Sequence, residues 1–266
     1  MIYVGARWLL AVLFLCLSSL AYASDDAAQG SELYTKSYGS EEQDDTKTLI
    51  FVLHGDAPFA PPSYHYAFAR KAAEQIPNSR IIAILRPGYS DGLGNQSAGK
   101  KGMATGDNYT ADRIAAIAEV IAAERQKYPG SDAVIVGHSG GAAIAANLAA
   151  LYPQLVDSAL LVSCPCVLDQ WREHMLSIAP DAPFDQPVTS INPLNMVERI
   201  NQDKRITIMV GEDDQVTPSS LSKLYYDRLK QRSVAAHFFV LADKDHEMLN
   251  SWEVLSMLTL LVGNHD

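Results

Sequence analysis

The amino-acid sequence predicts an α/β fold: a mostly parallel central sheet with helices on both faces and a small cap inserted at about residues 167–203. Three observations carry that expectation. Short, nearly continuous apolar runs rich in Val and Ile recur along the chain, as strands covered on both faces require. Segments with helical spacing alternate with them, which is the rhythm of parallel strands joined by crossover helices. One Pro-rich stretch, 167–203, interrupts that rhythm once.

Residues 24–47 are polar and acidic, with an alternating stretch at 33–36 read as an edge strand. The run TLIFVLH at 48–54 is the first buried strand. A Pro-rich turn at 57–62 leads into a helix over 63–76, and RIIAIL at 80–85 is the second strand. A Gly- and Ser-rich loop then extends from Arg86 to about Asn108. The spacing of Ile114, Ile117, Val120 and Ile121 predicts a helix over 111–127. DAVIVG at 132–137 is the third strand, followed by a small-residue helix over 140–151. Strands at 159–163, 205–211 and 237–241 complete the set, with helices at about 219–231 and 251–262. The interrupting segment holds Trp171, Met175, Pro180, Pro183, Pro187 and Pro193, with two short helices. Its place over the carboxyl ends of the strands is that of a lid.

The first 23 residues carry one charged side chain, Arg7, then an apolar run from Trp8 to Leu17 and a small-residue exit at Ala21-Tyr22-Ala23. Those are the three regions of a secretory signal peptide, cleaved after Ala23. An uncleaved anchor is the alternative, but the stretch is short for a span and lacks flanking charges. Leu15 before Cys16 is not the small residue that lipid attachment favours. The expected mature chain is one domain, 24–266, exported to the periplasm or secreted, with no further run long enough to span a membrane. With 21 Lys plus Arg against 31 Asp plus Glu the net charge is -10, and no basic run offers a nucleic-acid footprint. The expected partner is a small molecule, or a short acyl or peptidyl substrate.

After cleavage two cysteines remain, Cys164 and Cys166, flanking one proline. They are read as free, partly buried thiols following a strand, with a strained local disulfide as the alternative. Two thiolates do not complete a four-ligand zinc site. The acidic loops lack the spaced ligands of a calcium site, so neither metal nor organic cofactor is expected.

The sharpest chemical signal is Gly137-His138-Ser139-Gly140-Gly141, a G-x-S-x-G sequence directly after the third strand and opening a helix. A serine there stands on a tight strand-to-helix turn with its hydroxyl clear of the backbone. Gly137 and Gly141 remove β-carbons that would crowd the turn. A serine needs a base, and the base an orienting acid. The fifth strand ends in Gly211-Glu212-Asp213-Asp214, and the sixth leads into Asp243-Lys244-Asp245-His246. The order Ser139, acid, His246 matches one of the three known triad topologies. Asp214 is the preferred acid, with Asp213 and Glu212 as alternatives. His65, His174 and His237 lack such partners and are read as packing or solvated residues. The oxyanion donors are expected from the backbone N–H of Gly140 and of Asp56, in the Leu53-His54-Gly55-Asp56 turn. His54 is expected to shape that turn. The Asp56 carboxylate would oppose an oxyanion, so it is expected to point away or to hold a positive part of the substrate.

Together the strand-HG turn, the Arg86-Pro87-Gly88-Tyr89-Ser90-Asp91 loop, GHSGG, GEDDQVTP and DHE resemble the α/β-hydrolase superfamily over about residues 48–262. The resemblance implies Ser139 as nucleophile, Asp214 as acid and His246 as base. Its G-x-x-D-x-x-x-P form singles out Asp214, three after Gly211. It also implies that Tyr89 and Ser90 border the site, and we place His138, Trp171 and Met175 with them as pocket residues. Trp171, Met175, Phe184 and Met196 serve equally as the core that docks the cap. The sequence shows no extended HGGG motif of hormone-sensitive-lipase type, and a full prolyl-oligopeptidase architecture with its propeller is not expected. Serine at 139 argues against dehalogenase or epoxide-hydrolase chemistry. The expected activity is hydrolysis of a carboxylic ester or thioester through an acyl-enzyme. The alternatives are a peptidase or amidase, in which Asp56 or Asp91 would hold a substrate ammonium, and a secreted binding protein that kept the scaffold alone.

Overall fold

The computed structural model describes residues 33–263, so the export segment at 1–23 lies outside the described residues. The strands are β1 (Thr35–Gly39), β2 (Thr48–Leu53), β3 (Ser79–Ile84), β4 (Asp132–His138), β5 (Ser158–Val162), β6 (Arg205–Gly211) and β7 (Ala235–Leu241). The helices are α1 (Tyr64–Gln75), α2 (Ala111–Lys127), α3 (Gly140–Leu151), α4 (Leu168–Ile178), α5 (Pro193–Met196), α6 (Ser219–Gln231) and α7 (Trp252–Gly263). The strands form one seven-stranded sheet in the order β1-β3-β2-β4-β5-β6-β7. All neighbours are parallel except β1, which runs antiparallel along β3 with Thr35 opposite Ile84.

Successive side chains of a strand point to opposite faces, so each apolar run feeds two cores. Leu49, Phe51 and Leu53 of β2 pack with Ile135, Leu161 and Ile208 beneath α2, α3 and α6. Ile50 and Val52 face the other way, with Val134, Val136 and Leu160, toward α1 and α7. This explains why the central runs read as uninterrupted apolar residues. The last strand differs from that expectation. β7 pairs only with β6 and is an edge, with Phe239 and Val240 38% and 45% exposed. The predicted edge strand at 33–36 appears two residues later, as β1, while Leu33 itself is buried in the core.

Between β5 and β6 the inserted cap consists of α4, a coil and the short α5. Arg172 of α4 is buried and donates to the carbonyls of Thr105, Phe184 and Gln186, gathering the coil beneath the helix. Cys164 and Cys166 are joined in a disulfide, contrary to the free thiols expected. The turn through Pro165 brings their Cα atoms to 5.1 Å, inside the ordinary range for a disulfide, so the close spacing in sequence is no obstacle. Among the described residues no helix is long and apolar enough to cross a membrane.

Candidate active site

Ser139 caps α3 at the end of β4 with φ 53° and ψ -124°. A non-glycine residue held there stores strain of order 1–3 kcal/mol, which persists only where the surroundings impose it. The surroundings here are close backbones. A β-carbon on Gly137 would collide with the Gly141 carbonyl, and one on Gly141 with the carbonyls of Leu53 and His54. The turn therefore needs glycine on both sides of the serine. The first N–H groups of α3, that of Gly140 among them, have no intrahelical acceptor.

The loops after β6 and β7 bring Asp214 and His246 together. His246 Nδ1 lies 3.1 and 3.0 Å from the two carboxylate oxygens of Asp214. The same carboxylate accepts from the backbone of Val216 and Thr217 and from the Thr217 hydroxyl at 2.7 Å. Burial pushes the Asp214 carboxyl up, but His246 and the Thr217 donors outweigh it and hold the carboxyl below its ordinary range. Glu212 and Asp213 are exposed, and neither reaches His246 through a hydrogen bond. Ser139 and His246 are not hydrogen-bonded to each other. Such bonds are often long in resting sites and tighten with substrate.

The Leu53–Asp56 turn abuts the serine: a β-carbon on Gly55 would lie 3.0 Å from Ser139 Cβ. The Asp56 carboxylate neither faces solvent nor waits for a substrate cation. It takes 2.8 Å from Arg86 Nη2 and 2.6 Å from the Tyr109 hydroxyl, all three buried, and it lies against Gly140. Asp91 is likewise spent, accepting from Tyr66, Leu93 and Asn95. His54 shapes the turn as expected. Its Nδ1 is 2.7 Å from the Gly55 carbonyl, and its Nε2 accepts from the Arg86 amide.

Of the five residues assigned to a substrate pocket, the structure places most in supporting positions. Tyr89 is buried, its hydroxyl donating to the Asp56 carbonyl and its ring packed on His54. Ser90 sits on an exposed turn bridged to Gln96. His138 is buried with both ring nitrogens engaged. Trp171 docks the cap, donating to the Val216 carbonyl and packing edge-on against Phe184, and Met175 joins the same core. The nearby His174 adds a bond to the Gln215 carbonyl, so α4 grips the loop that carries Asp214. These corrections share one cause: proximity in sequence to a strand end says nothing of whether a side chain turns inward. Thr217, Arg86, Tyr109 and Tyr64 were not singled out as site residues. Only Thr217 carried a signal, as the hydroxyl three residues after the acid.

His54, His65 and His138 are all buried, and burial is the main cause lowering each pKa, to about 3 for His65 and His138. A histidine whose folded pKa lies below its unfolded value binds fewer protons when folded, so stability falls as pH drops below about 6.5. The expected loss from pH 7 to pH 5 is about 2 kcal/mol each for His65 and His138. The depressed Asp214 carboxyl acts only lower, as pH falls below about 4. Urea midpoints at the two pH values check this, and equal midpoints would exclude it.

Comparison with known proteins agrees with this architecture. Residues 81–187 match the family model described as alpha/beta hydrolase fold. The structure is similar to an esterase of Pyrococcus furiosus (TM-score 0.64, 17% identity, covering 88% of this chain and 91% of that one). It is also similar to Est1E of Butyrivibrio proteoclasticus, solved with ferulic acid bound (TM-score 0.65, 15% identity, 89% and 94%). A third similar structure is the monoacylglycerol lipase of Paleococcus ferrophilus (TM-score 0.60, 14% identity, 88% and 100%). No curated protein sequence matches this chain. The protein has the α/β-hydrolase fold, with a mostly parallel sheet and an inserted cap.

Proposed function

We propose that this protein is a serine hydrolase that cleaves a carboxylic ester or thioester by two-step acyl transfer. The observation that carries the reading is Ser139 held at positive φ on its turn at the carboxyl end of β4, together with a His246 whose Nδ1 is bound by the buried Asp214 carboxylate in the loops after β7 and β6. With Nδ1–H directed at Asp214, Nε2 is the nitrogen left to take the Ser139 proton as Oγ attacks a carbonyl. The backbone N–H groups of Gly140 and Asp56 face the developing oxyanion. His246 then protonates the leaving group, and water activated by the same ring clears the acyl-enzyme. The similar esterases and lipase support an ester substrate. The aminopeptidase reading loses support, because Asp56 and Asp91 are both committed to internal partners. Export remains part of the proposal, on the leader at 1–23, and the Cys164–Cys166 disulfide suits an oxidising compartment.

The test is mass spectrometry after exposure to a fluorophosphonate. The adduct is expected on Ser139, absent in Ser139→Ala and lost in His246→Ala. Folded wild-type protein that takes no adduct would overturn the reading in favour of a binding protein on this scaffold.

A further inference from the structure

His138 precedes the nucleophile, and its ring does not enter the chemistry proposed above. It lies between two loops instead. Its Nδ1 is 2.7 Å from the Tyr64 hydroxyl, and that oxygen is 2.6 Å from the Gly55 amide nitrogen. On its other side His138 Nε2 is 2.8 Å from the carbonyl oxygen of His246. With the buried ring neutral, the ends determine every proton between them. The Gly55 amide only donates and the His246 carbonyl only accepts, so Tyr64 accepts from Gly55 and donates to His138 Nδ1, and Nε2–H donates to His246.

We propose that Tyr64 and His138 are positioning residues of this site: the directed chain through them holds the oxyanion turn and the histidine loop in register on either side of Ser139. The proposal rests on the acyl-transfer reading of Ser139. Three features support it. Gly55 is closely enclosed by this chain, since a β-carbon there would stand in tight contact at 3.0 Å from Ser139 Cβ and 3.1 Å from the Tyr64 hydroxyl, with His138 Nδ1 at 3.5 Å. The His138 and His246 rings lie 5.1 Å apart, so a charged His138 would oppose the imidazolium that forms on His246 during attack. Burial, and then the charge that forms on nearby His246, keep His138 neutral, outweighing its bond to the His246 carbonyl and the Asp214 carboxylate, while burial keeps the proton on Tyr64.

Labelling of Ser139 in the wild type tests the nucleophile by itself. In Tyr64→Phe the labelling rate, and kcat on a p-nitrophenyl ester, are expected to fall about ten- to a hundredfold, with KM changed less than about threefold. His138→Leu should lose as much, and His138→Gln, which keeps an N–H donor, should recover part. The double variant Tyr64→Phe/His138→Leu should be no slower than the slower single variant, because one break already opens the chain. Histidine-selective ¹⁵N NMR of the wild type reads the chain without activity: His138 is expected as the Nε2–H tautomer, without titrating between about pH 5 and about pH 8. Wild-type rates in Tyr64→Phe, additive losses in the double variant, or a titrating His138 would overturn the proposal while leaving a labelled Ser139 standing. A wild type that resists labelling yet shows that tautomer would overturn the nucleophile reading, and the catalytic meaning of the chain with it.

Discussion

Asp214→Asn is expected to lower kcat for a p-nitrophenyl ester about 10⁴-fold, or about 5 kcal/mol of transition-state stabilisation, with the fold intact. The reason lies in how many donors the carboxylate serves. It accepts from His246, from two backbone amides and from the Thr217 hydroxyl. An amide of the same shape puts N–H₂ at the Oδ2 position, because Oδ1 serves the two backbone amides; the Thr217 hydroxyl can turn to accept from it, but the His246 Nδ1–H cannot. His246 then favours the tautomer with its proton on Nε2, which is unable to take the serine's. Asp213→Asn is the matched control. Its side chain is exposed, so a rate within about twofold of wild type is expected. Steady-state kinetics on the three proteins, with circular dichroism to confirm folding, decide the matter. Equal losses in both variants would reassign the acid.

Arg86→Met is expected to destabilise the protein by about 3–5 kcal/mol, because it leaves the Asp56 carboxylate buried with one charge partner removed. The Arg86 side chain is 1% exposed, and it also donates to the His54 carbonyl, so it ties both ends of the oxyanion turn to the loop after β3. Removing the whole pair, with Asp56→Asn added to Arg86→Met, should recover part of the loss, since no uncompensated charge then remains. The pair has a second consequence. An unneutralised carboxylate beside Gly140 opposes an oxyanion, so fluorophosphonate labelling in Arg86→Met should slow as well. Urea unfolding of the two single variants and the double variant measures the coupling. A midpoint for Arg86→Met equal to the wild type would show that the pair does not hold the turn.

The location of the site was legible early because each of its motifs falls at the carboxyl end of its own strand. GHSGG begins in the last two residues of β4, GEDD begins on the last residue of β6, and the DHE loop follows β7. Parallel strands bring their carboxyl ends to one edge of the sheet, so linear order becomes spatial convergence. Glycine at 137 and 141 was equally readable, because backbone approach excludes any side chain there and the residue type itself records it. The supporting residues carried no such mark. Tyr64 lies on α1 and Tyr109 just before α2, each 30 or more residues from the serine in sequence. Only packing brings them to Gly55 and Asp56.

Periodicity, turn residues and motif spacing were therefore enough to determine the layered α/β architecture, the helix limits at 111–127, 140–151 and 219–231, and the neighbourhood of Ser139. These properties depend on contacts between residues near in sequence, or on strand order imposed by short crossovers. Tertiary structure alone decided that Asp56 pairs with Arg86 and that Trp171 docks the cap. It likewise decided that Cys164 and Cys166 are bonded, and that β7 is an edge. In each case the outcome turns on which distant group a side chain or strand meets, and a linear pattern does not encode that meeting.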